Sequence, residues 1–185
     1  MIDIREIVTD LIKLNPISKS DVEFIYDLRT KRKNNQLKEI PKDINDQYKY
    51  FDKYYKEFKK GNEIYYKIIN LKNQKTTGVV RILNIKDQKN LNWNSFITTE
   101  NTMPFVGIEV CFTIYRLTFE ILKKDNLGPG LIKTSNKHMK KLHDYMEFVE
   151  WTDSDDLYQY FYIFKKRYLE KKDKFLNLGF GKIKL

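Results

Sequence analysis

Between Leu91 and Phe119 the chain changes its hydrophobic period, and few folds accommodate that change. LNWNSFIT, from Leu91 to Thr98, alternates apolar and polar residues. This predicts a strand with Trp93, Ser95 and Ile97 on one face and Asn94, Phe96 and Thr98 on the other. Further on, Ile108, Cys111, Phe112, Tyr115, Phe119 and Leu122 recur at spacings of three and four. That period predicts a helix with one buried stripe. Thr102 is the expected N-cap, and Pro104 suits the first helical turn. Gly107 sits in the opening turn, where a missing side chain lets a ligand approach the backbone. A strand feeding a helix in this way aims unpaired N–H groups at one point, a geometry that binds phosphate. The same residues also suit an ordinary strand–turn–helix.

The 185 residues are 41% hydrophobic, enough for a sizeable core, and we expect one domain over 1–185. A formal net charge of +10 makes anionic partners plausible: nucleic acid, acidic surfaces or phosphorylated small molecules. Acidic residues are interspersed with the basic ones, and there is no Lys/Arg arm of the kind that grips nucleic acid. The one cysteine, Cys111, cannot form an internal disulfide and falls on the apolar stripe. MIDIREIVTD is charged from its start, and no window is apolar for long enough to span a bilayer. A cytoplasmic, non-membrane protein is therefore expected.

Asp10–Ile17 reads as a strand, followed by a helix for which Ser18 and Ser20 are both N-cap candidates, Ser20 with Glu23 making a capping box, and which bears Val22, Ile25 and Arg29. A polar loop runs from Thr30 to about Asp43, and Asn45–Lys60 is helical with Phe51, Tyr54, Tyr55 and Phe58 inward. Those aromatics, interleaved with lysines, suit either a core stripe or a single-stranded nucleic-acid platform. Ile64–Asn70 and Thr77–Ile85 read as a hairpin. The central helix should end at Lys123-Lys124 and Gly128-Pro129-Gly130. Then follow a strand at Leu131–Thr134, a helix at Asn136–Met146 and strands at Phe148–Trp151 and Leu157–Phe164. A charged, exposed helix at about 166–177 closes the series. The order β, α, α, β, β, β, α, β, α, β, β, α mixes a meander with a β–α–β crossover. It predicts an α/β (α+β) class with a mixed, mostly antiparallel sheet of about seven strands flanked by helices.

From about Leu11 to Phe164 this order resembles the GNAT superfamily of acyl-CoA-dependent N-acyltransferases. The local matches are NWNSFI at Asn92–Ile97, PFVGIEV at Pro104–Val110 and TFEIL at Thr118–Leu122. Asn136, His143 and Phe148 match a family pattern N-x6-Y-x4-F. His143 stands where that pattern has tyrosine, and Glu147 where glycine is usual. The family's Q/R-x-x-G-x-G/A turn is represented by Pro104–Glu109, with one glycine and no basic first residue. The GIEV turn, the W-x-S strand, Arg29-Thr30 and Gly78–Arg81 look like the branch that N-acetylates nucleotide-linked amino sugars for surface polysaccharides.

The resemblance implies acetyl-CoA as cosubstrate, without a metal, and direct attack of an amine on its thioester. It assigns Phe96, Ile97, Val106, Gly107, Ile108 and Asn136 to the cofactor. Trp93, Asn94 and Ser95 go to the acceptor side, with Arg29 and Arg81 as forks for its diphosphate. His143, with an unperturbed pKa near 6.5, suits removal of the amine proton or protonation of the thiolate. Glu109 is the second candidate catalytic or substrate residue. The implied partner is a UDP- or dTDP-linked amino sugar, and a homodimer is compatible with the family. Neither nucleic acid nor membrane is favoured. The alternatives are acetylation of a protein N-terminus or small amine, and a non-catalytic nucleic-acid-binding module.

Overall fold

The computed structural model describes residues 4–30 and 40–184. Short strand β1 (Ile7–Val8) leads to β2 (Ile12–Pro16), a 3-10 turn (Lys19–Asp21), α1 (Val22–Thr30) and α2 (Ile44–Lys59). The meander β3 (Glu63–Asn70), β4 (Lys75–Leu83) and β5 (Asn90–Thr98) follows. Helix α3 (Pro104–Arg116) then runs into a π-helical turn (Leu117–Ile121). The chain continues through β6 (Asn126–Lys133), α4 (Lys137–Met146), β7 (Glu150–Ser154), β8 (Tyr158–Phe164) and α5 (Lys165–Asn177). The sheet has eight strands in the order β1-β2-β3-β4-β5-β6-β8-β7. Every neighbouring pair is antiparallel except β5–β6. The expected mixed sheet is present, with β1 as an additional strand.

Apolar residues cover both faces of the sheet. Tyr65, Val79 and Ile97 pack with Val22, Ile25 and Leu28 of α1 and Phe51 and Tyr54 of α2. Tyr66, Val80, Ile82 and Trp93 pack on the other face with α3 and α5. Phe51 and Tyr54 are buried and Phe58 packs against them as a core stripe, out of reach of a nucleic-acid base, whereas Tyr55, expected inward, is exposed because it falls on the outer side of the stripe.

Several local expectations are corrected. Of the two N-cap candidates Ser18, not Ser20 with Glu23, starts the first helical segment: the Asp21 carboxylate accepts from the Ser18 N–H at 2.7 Å. Helix α3 is buried on nearly all sides, since Val106, Glu109, Val110 and Thr113 lie inside along with the predicted stripe. Its middle passes between the sheet and α5, while Pro104 and Phe105 in its first turn stay exposed. Lys124 does not serve the helix dipole; its ammonium donates to the carbonyls of Ile85 (2.9 Å) and Asp87 in the β4–β5 connection. Gly128–Gly130 belongs to β6 rather than to a helix stop. A Cβ at Gly130 would overlap the Phe161 ring, so glycine is what lets β8 pack there. Helix α5 is charged but not simply exposed, because Tyr168 and Phe175 pack against Phe112 (6.2 and 5.3 Å between ring centroids).

Candidate active site

The site begins where β5 and β6 part. These strands pair only at Asn90↔Asn126 and Leu91↔Leu127. Side chains staple the fork: Asn126 Nδ2 donates to Asn90 Oδ1 at 3.1 Å. The Asn92 amide, oriented to satisfy its neighbours, donates to the carbonyls of Gly128 and, at 3.1 Å, Leu91. Further along, Val79 pairs with Ile97 and Arg81 with Asn94, so Ser95 and Phe96 together oppose Val80. This is a β-bulge, with Ser95 at φ +51°. It breaks the predicted alternation. Trp93 and Phe96 stack at 5.9 Å on the α3 side, whereas Ile97 turns to the α1–α2 side. A bulge leaves its extra residue outside the ladder, which frees backbone donors at this point.

Two cavities flank the fork and share Phe96, Asn136 and Met139. The larger, about 540 Å³, lies between the end of β5, the start of α3 and α4. That volume is in the range of small-molecule sites. Phe96, Ile97, Gly107, Ile108 and Asn136 all line it, as expected for the cofactor. Val106 does not: its side chain is buried, and its N–H is used by the Met103 carbonyl at 3.0 Å. Met103 is the N-cap and Pro104 occupies the first turn. Thr102 instead bonds Thr99 Oγ1 (2.9 Å) and the Thr77 carbonyl (3.1 Å), closing the strand-to-helix turn. A Cβ at Gly107 would meet only Leu142 Cδ2 at 3.6 Å, an ordinary contact. No protein atom demands glycine here, so the space it leaves is available to a ligand. The apolar walls, the helix start and this gap fit the pantetheine and diphosphate of acetyl-CoA.

The smaller cavity, about 280 Å³, is lined by Arg29, Arg81, Trp93, Asn94, Ser95 and His143, all predicted acceptor-side or catalytic residues. Tyr50, Lys133 and Tyr158 also line it. The sequence reading missed these three because each sits among charged or aromatic residues with no distinguishing period. Arg81 is less available than expected. Its Nε and Nη2 hold both oxygens of buried Glu63 at 2.5 and 2.6 Å, and Nη1 donates to Tyr50 Oη. Tyr50 lies under both guanidinium groups, 5.7 Å from Arg29 and 5.2 Å from Arg81. The lining includes no carboxylate among the described residues. Of the polar loop after Thr30, whose Asn34–Asp43 part the sequence offers as a further acceptor contact, 31–39 falls outside the described residues, and 40–43 does not line either cavity.

His143, on α4, is fully buried among Trp93, Trp151 and Phe161, with ring centroids at 5.9, 6.0 and 4.6 Å. Its Nδ1 faces Tyr115 Oη at 3.5 Å, and Nε2 has no hydrogen-bond partner. Burial lowers its pKa from the expected 6.5 to about 4, against a smaller upward pull from Asp144, so the ring is neutral at pH 7. Glu109 is not brought to either cavity. It is buried on the far side of α3, where Oε2 accepts the Gly181 N–H at 2.8 Å, and desolvation raises its pKa. Its carboxyl thus ties α3 to the C-terminal segment, where a negative charge meets no phosphate. Asn136 caps α4 through the Met139 N–H at 3.1 Å while lining both cavities. No group of three metal-ligating side chains occurs among the described residues.

In fold, with its parted β5–β6 pair, the bulge beside it and a helix start facing the gap, the chain is similar to solved GCN5-related N-acetyltransferases. Apo FdhC, described as a nucleotide-linked sugar GNAT, superposes with a TM-score of 0.79 at 22% identity, covering 94% of this chain and 98% of that one. A GCN5-related N-acetyltransferase from Brucella melitensis gives 0.77 at 10% identity, over 95% and 86% of the two chains. Campylobacter jejuni N-acetyltransferase PseH in complex with acetyl coenzyme A gives 0.64 at 20% identity, over 84% and 99%. No protein-family model matches the sequence, and no curated protein does.

Proposed function

We propose that this protein is an acetyl-CoA-dependent N-acetyltransferase whose acceptor is an amino sugar linked to a nucleotide. Acetyl-CoA would supply a thioester carbonyl open to attack by an amine. The start of α3, with Gly107 and Ile108, would hold its diphosphate by backbone donors. Phe96 and Ile97 would hold the pantetheine arm beside the bulge, and Asn136 would stand where the two cavities meet. Trp93, Asn94 and Ser95 would line the sugar. Arg29 and Lys133 would attract the acceptor's phosphates, with Arg81 contributing the donors that Glu63 leaves over. His143 would present one nitrogen of a neutral ring to the reacting groups.

The observation that carries this reading is the sign of the acceptor cavity. It combines Arg29 and Lys133 with an Arg81 whose charge is balanced by Glu63, it has no carboxylate among its described lining residues, and it opens onto the same fork as the larger cavity. An anionic acceptor is attracted there and a polycation repelled. The neighbours point the same way, since FdhC is described as a nucleotide-linked sugar GNAT. The test is thiol release from acetyl-CoA, followed with a thiol reagent. Turnover is expected with UDP- or dTDP-linked amino sugars and not with spermidine. Turnover with spermidine or an N-terminal peptide alone would replace the sugar assignment. No release with any amine would remove the acetyltransferase assignment.

A further inference from the structure

Tyr115 lies on α3 with no exposed surface, its ring edge-to-face with Trp93 (6.1 Å) and Phe148 (5.2 Å). Its hydroxyl has two polar neighbours: His143 Nδ1, at 3.5 Å, and the thiol of Cys111, one turn earlier on the same helix. A neutral imidazole has one N–H and one lone pair, and a phenol has one proton to donate. Between its two neighbours, the imidazole nitrogen is a strong acceptor and sulfur a weak one. The phenol therefore gives its proton to Nδ1, the stronger of the two acceptors, and the Cys111 thiol, kept protonated by burial, does not draw it away as a thiolate would. Among the described residues no other group bonds a nitrogen of the ring. Asp144, the charged neighbour that bears on His143, accepts instead from Trp151 Nε1 at 3.0 Å, and Lys140 lies over the Trp151 ring at 4.3 Å. The imidazole proton is thereby placed on Nε2, the nitrogen without a partner in a residue that lines the acceptor cavity.

We infer that Tyr115 is a positioning residue that fixes His143 as the Nε2–H tautomer, so that His143 meets the substrates as a hydrogen-bond donor and not as a proton-accepting base. What this donor meets rests on the acyltransfer reading: an oxygen on which negative charge develops during transfer. As the amine nitrogen bonds to the thioester carbon, the C–S bond breaks, and the proton the nitrogen loses is taken up by the departing thiolate, so the step needs no proton from or to His143. A 3.5 Å contact is long for a hydrogen bond, as is common before substrates tighten a site.

Heteronuclear NMR of the ring nitrogens tests the inference without a substrate. The chain has two histidines, so His138→Gln leaves His143 as the one imidazole to read. The expected spectrum shows a protonated Nε2 and a bare Nδ1. Tyr115→Phe, in the same background, is expected to move protonation towards Nδ1 and to lower kcat about tenfold to a hundredfold with KM unchanged. A proton on Nδ1 in the parent, or an unchanged tautomer in Tyr115→Phe, would overturn it. Should Tyr115→Phe fail to fold, the parent spectrum still decides. Absence of thiol release with every acceptor would remove the reaction while leaving the tautomer result intact.

Discussion

His143 shows how one burial changes chemistry. With an ordinary pKa it would be half protonated near pH 6.5; in its aromatic enclosure it stays neutral down to about pH 4. The folded chain resists a proton that the unfolded chain binds. The associated stability is therefore present above pH 6.5 and is lost as pH falls towards 4, by up to about 3 kcal/mol across that window. His143→Gln should flatten this limb: its urea midpoint should fall less between pH 7 and pH 5 than that of the parent. Equal slopes would mean that the ring is not protected. The same variant should lose about a hundredfold or more in kcat/KM. His143 was singled out by the family pattern that Asn136, His143 and Phe148 resemble, and it does line the smaller cavity. Its protonation was not legible, because Trp93, Trp151 and Phe161 reach it from three other elements. Glu109 is the converse case. Its place near the start of α3 suggested the site, but helical rotation turns it towards Gly181.

Among the elements, α3 carries the cofactor prediction. Glycine inside a helix is less stable than alanine by about 0.5–1 kcal/mol, and a methyl at Gly107 meets only Leu142. Gly107→Ala should therefore raise or preserve the melting temperature while weakening acetyl-CoA binding in calorimetry. Unchanged affinity would place the diphosphate elsewhere. The strand–helix succession was readable from its periods, since β5 and α3 switch cleanly between them. The β5 bulge was not readable: LNWNSFIT keeps its alternation through Ser95, and the extra residue is set by pairing with Val79 and Arg81 on β4. Tertiary pairing thus decided which residues face the cavities. The glycines of β6 were misread as a helix stop because close packing of Phe161 leaves no pattern within β6 itself.

At the scale of the molecule, the C-terminal segment straps the back of α3. Gly181 bonds Glu109 through its N–H and Arg116 through its carbonyl (2.6 Å), and the Lys184 N–H donates to the Val8 carbonyl at 2.8 Å. Burial raises the Glu109 pKa above its unfolded value, so its contribution is favourable below about pH 4.5 and is lost as pH rises. Glu109→Gln should consequently gain in melting temperature over the parent as pH goes from 5 to 8, with kcat retained. A loss of turnover would return Glu109 to the chemistry. No described helix is long and apolar enough to cross a membrane. The parted strands have a kinetic corollary. On the proposed reading each reactant has its own chamber, and the two cavities touch at Phe96, Asn136 and Met139. Donor and recipient can be resident together, so no side chain needs to ferry the acyl group, and the sole thiol is sealed in the interior. Double-reciprocal plots of initial velocity should converge to a crossing point, whereas parallel lines would reveal a shuttle intermediate.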